Sequence, residues 1–258
     1  MKHKTLVCYV ETDQHNKSEE KLLYSFNRVG INPVAFGKGE TWGGWIHRLE
    51  MLREGLEKYI GKYDYVLQTD ARDVLYYKDL DTIIERYEKH RLNGTRILFN
   101  AETNCYPNKE LKSEYPYPDK KYRYLNAGCF IGDMNYVVKL LDTAIERAKQ
   151  EDVTDDQEML SMMYIENYKL YGENTQFRLD TDCSIFQVLW DEDYGRSANF
   201  DVVYNRDRIY NKLTDTDPCV FHAPGPTCTL SQVWKIINKK WNYLYPQKKY
   251  LTRIGKMS

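Results

Sequence analysis

The sequence has no long apolar run and no excess of basic charge. No segment approaches the roughly 18 consecutive apolar residues of a membrane span, and the N-terminus lacks the cleavage pattern of a signal peptide. Lys and Arg number 37 against 38 Asp and Glu, a formal net charge of −1. Because nucleic-acid binders normally present a basic face, this balance argues against that class. We expect no membrane span, no nucleic-acid partner, and a location in the cytoplasm or a host-cell cytosol-like compartment.

The sequence also lacks a Cys-x-x-Cys pair, an internal repeat and a low-complexity segment. The missing cysteine pair argues against a zinc ribbon or a thioredoxin-type site. We expect most cysteines to be buried free thiols in a reducing compartment, and one disulfide stays open as an alternative. The six cysteines are Cys8, Cys105, Cys129, Cys183, Cys219 and Cys228.

What is present is an alternation of strand-like and helical segments. A chain of 258 residues with 42% hydrophobic residues suits one large domain. The alternation predicts an α/β sandwich with a largely parallel sheet. Strands are predicted at 5–10, 33–36, 64–69, 96–100, 127–132, 177–179, 201–204 and 219–222. Helical spacing of apolar residues predicts helices near 46–59, 80–87, 137–148 and 159–164, and a closing helix is expected after residue 230.

Two carboxylates, Asp70 and Asp73, follow the predicted strand at 64–69. Charge beside buried apolar side chains costs free energy unless a cation or strong hydrogen bonds compensate it. Carboxylate oxygens suit hard divalent ions such as Mg²⁺ or Mn²⁺, and open α/β sheets bind ligands at the carboxyl ends of strands. The alternative is an acidic turn after a strand.

His222 ends another strand-like run and precedes a turn-forming segment, Ala-Pro-Gly-Pro-Thr, at 223–227. A neutral imidazole can complete a metal site made by two carboxylates, although a lone histidine can also be purely structural. In the turn, Gly225 would let backbone N–H groups approach phosphate oxygens closely.

A glycine-rich loop with two indoles, Trp42 to Trp45, precedes the helix near 46–59. Its composition suits a mobile loop that folds over a base or a sugar, or an ordinary surface loop with buried tryptophans. Arg48, in the first turn of that helix, could reach a diphosphate together with helix N–H groups, or could simply be solvated.

Four further polar residues follow predicted strands or open a helix. Glu102 comes after the strand at 96–100, and Asn126 stands among small residues that suit a backbone under a ligand. Asp155 and Asp156 open the helix near 159–164. They fit a cap and first-turn charge, and they fit equally a sugar-hydroxyl or acceptor-binding role.

Taken in order, these motifs resemble the glycosyltransferase domain of the multifunctional procollagen lysyl hydroxylases and, more distantly, the procollagen galactosyltransferases. The resemblance covers about residues 5–230. Its landmarks are Trp-Gly-Gly at 42–44, Asp-Ala-Arg-Asp-Val at 70–74, Phe-Asn-Ala-Glu at 99–102 with Cys105 and Pro107, Leu-Asn-Ala-Gly at 125–128 with Phe-Ile-Gly at 130–132, Asp-Asp-Gln at 155–157, Leu-Asp at 179–180 with Ile-Phe-Gln at 185–187, and His222 with Gly-Pro-Thr at 225–227.

The resemblance implies a GT-A fold, with a Rossmann-like, mixed, mostly parallel sheet flanked by helices in one domain, 1–258. A nucleotide-sugar-binding half would span about 1–132, an acceptor-side half about 133–230, and a C-terminal helix and tail 231–258. It also implies Mn²⁺, with Mg²⁺ as the alternative, and a UDP-sugar donor. The residue roles that it implies are Asp70, Asp73 and His222 on the metal, Val10, Thr12, Trp42, Arg48 and Gly225 on the uridine diphosphate, and Asp155, Asp156, Asn126 and Glu102 near the transferred sugar or the acceptor.

The sequence departs from the resembled family at two positions. Members place a tyrosine between the two aspartates to stack on uracil, whereas this chain has Arg72, whose guanidinium plane can also stack on a base. Members place a lysine after Gly-Pro-Thr, whereas this chain has Cys228. The diphosphate charge would then fall to the metal, Arg48 or Lys235.

By resemblance, the expected activity is sugar transfer, with glucose favoured, to galactosylhydroxylysine or hydroxylysine of collagen or collagen-like chains. The alternatives are a procollagen galactosyltransferase and a catalytically degenerate UDP-sugar-binding protein. A metal-dependent phosphohydrolase is disfavoured because no nucleophile and lysine pair accompanies the aspartates. Retaining and inverting chemistry both stay open, as does a homodimer.

Overall fold

A computed structural model describes residues 3–15, 19–190, 201–204, 208–225 and 233–234. The strands in these residues are β1 (Thr5–Val10), β2 (Val34–Phe36), β3 (Tyr65–Thr69), β4 (Val74–Tyr76), β5 (Ile97–Glu102), β6 (Tyr124–Asp133), β7 (Phe177–Leu179), β8 (Phe186–Val188), β9 (Val202–Tyr204), β10 (Ile209–Asn211) and β11 (Val220–His222). The α-helices are α1 (Glu20–Val29), α2 (Trp45–Glu57), α3 (Leu80–Leu92), α4 (Met134–Gln150) and α5 (Asp156–Tyr171). None of these helices combines the length and apolar character needed to cross a membrane.

The central sheet has six strands in the order β2-β1-β3-β6-β5-β7. Its pairs are parallel except those made by β6, which runs antiparallel to both β3 and β5. Side chains alternate between its faces: on β1, Leu6 and Cys8 join one core cluster while Val7 and Tyr9 join the other. Helices α2, α4 and α5 contribute to the first cluster, and α1 and α3 to the second. The predicted α/β class, with a mostly parallel sheet between helices, is confirmed.

A second, three-stranded sheet in the order β4-β11-β8 abuts the central one, and β9 and β10 form an antiparallel pair. In this sheet β11 pairs antiparallel with β4 and parallel with β8. Four residues, 70–73, separate β3 from β4, so this connection links the two sheets. This connection carries both predicted aspartates.

An irregularity in β6 shapes the adjoining backbone. Phe99 of β5 pairs with Phe130, but the next residue, Asn100, pairs with Asn126. Residues 127–129 therefore have no counterpart on β5, and such a bulge redirects the strand locally. Gly128 lies in this bulge and accepts a hydrogen bond from the Asp70 N–H at 2.7 Å.

All eight predicted strands and all four predicted helices are present among the described elements. The prediction missed α1 and the three short strands β4, β8 and β10. The expected closing helix after residue 230 lies outside the described residues apart from 233–234.

Candidate active site

Three strand ends bring Asp70, Asp73 and His222 together. Asp70 follows β3, Asp73 precedes β4, and His222 ends β11, where it pairs with Val74. The Ala223 N–H donates to the Asp73 carbonyl at 2.9 Å, which fixes the β11 end against the aspartate connection. One ligand atom from each of the three side chains lies within 4.8 Å of the others. The predicted ligand residues therefore share one site, and their role as ligands stays a prediction.

The donor set fits a divalent cation. The Nε2 atom of His222 is 3.5 Å from Asp70 Oδ2 and 3.6 Å from Asp73 Oδ2. It is buried and has no hydrogen-bond partner within the described part of the chain. A buried nitrogen beside two carboxylates without a hydrogen bond is unfavourable unless a cation lies between them. The lack of a side chain at Gly128 leaves space for the His222 and Asp70 side chains, because a Cβ there would stand 2.2 Å from His222 Cε1 and 2.7 Å from Asp70 Oδ2.

Arg48 connects this cluster to the start of α5. Its buried guanidinium pairs with Asp70 at 2.5 Å and donates from Nε to Asp156 at 2.7 Å. It also donates to the Ala127 carbonyl at 3.3 Å. The alternative that Arg48 is simply solvated is therefore wrong, because its guanidinium is buried and bonded to two carboxylates. Its predicted contact with a diphosphate stays a prediction.

Charge and burial shift the ionisation of the cluster. Burial raises the pKa of Asp70 to about 6, although the Arg48 charge acts in the opposite direction. Burial alone would lower the pKa of His222, but the charges of Asp73 and Asp70 outweigh it and raise the pKa above its usual value. Burial would likewise lower the pKa of Arg48, and Asp156 and Asp70 raise it instead. The Asp70 shift reflects burial of a charged group, whereas the His222 and Arg48 shifts reflect unlike charges held close together away from water.

The formal charges leave a negative excess. Three carboxylates, those of Asp70, Asp73 and Asp156, surround one guanidinium and a histidine. With the imidazole neutral, the sum is three negative charges and one positive, or −2. A divalent cation would balance this sum, and carboxylate with imidazole is a donor set that Mn²⁺ and Mg²⁺ sites use.

The two aspartates at 155–156 have different surroundings. Asp155 is the N-cap of α5, where its side chain accepts from the Glu158 N–H at 3.0 Å, and burial raises its pKa. Asp156 is buried and paired with Arg48. The capping alternative is therefore correct for Asp155, while a role of either residue toward a sugar or an acceptor stays a prediction.

Asn126 and Glu102 form a buried amide–carboxylate pair behind His222. Asn126 Nδ2 donates to Glu102 Oε1 at 3.0 Å, and its Oδ1 lies 2.9 Å from His222 Nδ1. Gln157 joins them by donating to Glu102 Oε1 at 2.9 Å and accepting from the Ala127 N–H. The structure thus places both predicted residues next to a metal-ligand candidate.

Arg72 and the end of β1 form the neighbouring edge of the site. The Arg72 guanidinium binds the buried Glu11 carboxylate through two hydrogen bonds of 2.8 Å, and this carboxylate raises the pKa of Arg72. The arginine side chain is 57% exposed. Val10 ends β1, and the Thr12 carbonyl accepts from the Gly39 N–H. A stacking role for Arg72, and donor contacts for Val10 and Thr12, stay predictions.

Trp42 lies three residues before α2 begins, and Gly225 lies three residues after β11 ends. Trp42 is 46% exposed and packs edge-to-face on the exposed Trp45, which contradicts the alternative of a loop with buried tryptophans. Gly225 is exposed and has φ of 77°, a left-handed conformation that favours glycine. Cys228 and Lys235, which bear on the diphosphate charge, lie outside the described residues.

Glu11 and Gln157 are the residues that the sequence reasoning gave no role. Glu11 directly follows β1, so the strand-end signal that selected Asp70 would have selected it too. Gln157 stands in a quoted motif, but the contacts that involve it come from segments 30 to 55 residues away. The five described cysteines are all free and buried, as expected.

Comparison with known protein families agrees with this architecture. The family model of the PLOD GT domain matches residues 1–246. A multifunctional procollagen lysine hydroxylase and glycosyltransferase of Caenorhabditis elegans is 30% identical over 253 residues, which is 92% of this chain and 33% of that protein. The human protein LH3 of the same description is 30% identical over 237 residues, 87% of this chain and 30% of that protein. The chain therefore spans about a third of the length of these relatives.

Two further matches come from viral proteins. The uncharacterized protein R699 of Acanthamoeba polyphaga mimivirus is 27% identical over 216 residues, 80% of this chain and 42% of that protein. A crystal structure of a glycosyltransferase involved in glycosylation of the major capsid of PBCV-1 superposes with a TM-score of 0.50 and 8% identity, covering 90% of this chain and 99% of that one. At this identity the likeness shows the fold alone.

Proposed function

Because the chain belongs to the PLOD glycosyltransferase-domain family, we propose that it is a metal-dependent hexosyltransferase that moves glucose from UDP-glucose to galactosylhydroxylysine of collagen or collagen-like chains. The observation that carries the proposal is the cluster of Asp70, Asp73 and His222, joined by Arg48 to Asp156 at the start of α5. The cluster lies where the nucleotide-sugar half, about 1–132, would meet the acceptor-side half, about 133–230.

Asp70, Asp73 and His222 would hold the metal, with Mn²⁺ preferred to Mg²⁺. When bound, the metal supplies Lewis-acid stabilisation of the negative charge on the departing diphosphate. Arg48 keeps the carboxylates of Asp70 and Asp156 in fixed positions, so that little reorganisation is required during transfer. Asp156 or Asp155 would orient the acceptor hydroxyl toward the sugar carbon C1. We propose retention of the anomeric configuration, with a phosphate oxygen of the donor accepting the acceptor proton.

The donor nucleotide would bind along the end of β1. Arg72 would offer its guanidinium plane to uracil, because the two hydrogen bonds that it donates to Glu11 hold that plane while leaving much of it in solvent. Val10, Thr12 and Trp42 would complete the uridine contacts, and Gly225 would lie beside the phosphates.

The test is a transfer assay with Mn²⁺, a panel of UDP-sugars and collagen peptides carrying either hydroxylysine or galactosylhydroxylysine. Glucose added to the galactosylated peptide, detected by mass spectrometry, supports the proposal. Galactose added to the bare hydroxylysine peptide would identify a galactosyltransferase instead. Tight UDP binding with no product on either peptide would identify a sugar-nucleotide-binding protein. The anomeric proton coupling of the product separates retention from inversion.

A further inference from the structure

Glu102 and Asn126 form a buried chain of hydrogen bonds that ends on His222. All three residues are less than 5% exposed. Asn126 Oδ1 accepts from the Gly128 N–H at 3.1 Å, and Asn126 Nδ2 donates to Glu102 Oε1 at 3.0 Å. The backbone N–H can only donate and the carboxylate can only accept, so these two contacts fix which end of the Asn126 amide is oxygen.

The amide orientation in turn fixes the histidine tautomer. His222 Nδ1 lies 2.9 Å from Asn126 Oδ1, which is an acceptor, so Nδ1 must carry a proton. In the neutral imidazole the lone pair is then on Nε2, the atom that faces Asp70 and Asp73 at 3.5 and 3.6 Å. A metal-ligating histidine commonly donates its other N–H to a fixed acceptor in this way.

We propose that Glu102 and Asn126 are positioning residues that hold His222 in the Nδ1–H tautomer with Nε2 directed at the metal position. Glu102 orients the Asn126 amide, and the amide orients the imidazole. Gln157 supports the chain from the start of α5, because it donates to the same Glu102 oxygen at 2.9 Å. This inference rests on the proposed metal site and gives Glu102 and Asn126 a task that does not require contact with sugar.

Two substitutions, one at Asn126 and one at Glu102, can exchange the amide and carboxylate groups of this pair. Asn126→Asp keeps an acceptor for His222, but it removes the donor toward Glu102 and places two buried carboxylates face to face. Glu102→Gln alone retains an acceptor oxygen for Asn126. The double variant restores a donor–acceptor pair with the groups exchanged and leaves the total charge unchanged. A charge role would predict that Asn126→Asp strengthens Mn²⁺ binding, and a merely structural role would change the unfolding free energy without changing the Mn²⁺ affinity.

The first measurement is Mn²⁺ affinity, by electron paramagnetic resonance or calorimetry. In mildly alkaline buffer, which keeps the imidazole neutral, we expect Asn126→Asp to weaken binding about 10- to 100-fold, Glu102→Gln to have a smaller effect, and the double variant to recover most of the loss. Additive losses in the double variant would overturn the proposal. Metal-free thermal unfolding checks that each variant folds. If Asn126→Asp does not fold, the comparison of Mn²⁺ affinity between the double variant and Glu102→Gln decides.

The second measurement is the tautomer itself, by long-range ¹H–¹⁵N correlation on the metal-free wild-type protein in mildly alkaline buffer. The Nδ1–H tautomer at His222 supports the proposal, and the Nε2–H tautomer overturns it. A wild type with the Nδ1–H tautomer and bound Mn²⁺ but without sugar transfer would remove the proposed function and leave this inference intact. A wild type that binds no divalent metal would overturn both.

Discussion

Replacing Gly128 by alanine is expected to displace a ligand of the proposed metal site without altering any polar group. The added Cβ would stand 2.2 Å from His222 Cε1 and 2.7 Å from Asp70 Oδ2. Real Cβ contacts essentially never fall under 3.0 Å, so the imidazole and the backbone at residue 128 must together move apart by at least 3.0 − 2.2 = 0.8 Å. Metal sites tolerate ligand distances within about 0.2 Å of their usual values. Gly128→Ala should therefore weaken Mn²⁺ binding by about 10- to 100-fold or more, the range seen when only a supporting residue is lost.

Gly132→Ala in the same strand is the matched control. Its Cβ would also clash, at 2.7 Å from Val137 Cγ2, but against the hydrophobic core. Both variants should lose about 1–3 kcal/mol of unfolding free energy from overpacking. Only Gly128→Ala should also lose metal affinity, measured by calorimetric titration with Mn²⁺ and by the Mn²⁺-dependent shift of the melting temperature.

A Gly128→Ala protein that bound Mn²⁺ as tightly as Gly132→Ala does would contradict this prediction. That result would mean either that His222 can move without consequence, or that the metal binds elsewhere. A crystal structure of the alanine variant would distinguish the two by the position of the imidazole.

Three further predictions follow from single side chains. Asp73→Asn should abolish Mn²⁺ binding and sugar transfer, whereas Asp81→Asn on the exposed surface of α3 should change neither in the same titration and transfer assays. Asp155→Ala should lower the unfolding free energy by about 1 kcal/mol through loss of the α5 cap, and denaturant unfolding should show this with Mn²⁺ affinity unchanged. Arg72→Ala should weaken UDP binding in calorimetry. It should also cost about 1.5 kcal/mol of stability, because Glu11 then stays buried without this partner. UDP affinity equal to that of the wild type would exclude the stacking role.

The strands of the central sheet could be predicted because burial on both faces makes them continuous apolar runs. Val66 and Leu67 of β3 are fully buried on opposite faces, and this pattern is visible without a structure. The strands β4 and β8 lie outside the central sheet, and each depends for its pairing on β11, which is remote in sequence, so their own segments carried too little signal to predict them. Helix α1 is amphipathic, with Leu22 and Phe26 buried on one face, so its apolar periodicity was visible in the sequence and the prediction overlooked it.

Within the site, the sequence identified residues at strand ends but not the partners that they would meet. Asp70 follows an apolar run, Asp73 stands three residues later and His222 ends another run, and the resemblance to the family grouped the three as metal ligands. The pairing of Arg48 with Asp156 joins residues 108 positions apart, and nothing local in either segment indicates it. Likewise, Glu11 is a single acidic residue after a strand, and its bond to Arg72 depends on β1 and β3 being adjacent in the sheet.

The charge balance of the site explains why the carboxylate next to Asn126 does not bond His222 directly. Asp70 and Asp73 already face the imidazole, and a third carboxylate bonded directly to its other nitrogen would favour the doubly protonated ring, so that a metal would have to displace a proton from Nε2. The neutral Asn126 amide gives His222 Nδ1 an acceptor without adding charge there, while Glu102, one hydrogen bond further away, keeps the amide in that orientation. The same hydrogen bonds compensate the free-energy cost of burying the polar side chains of Asn126 and Glu102, which would be destabilising without partners.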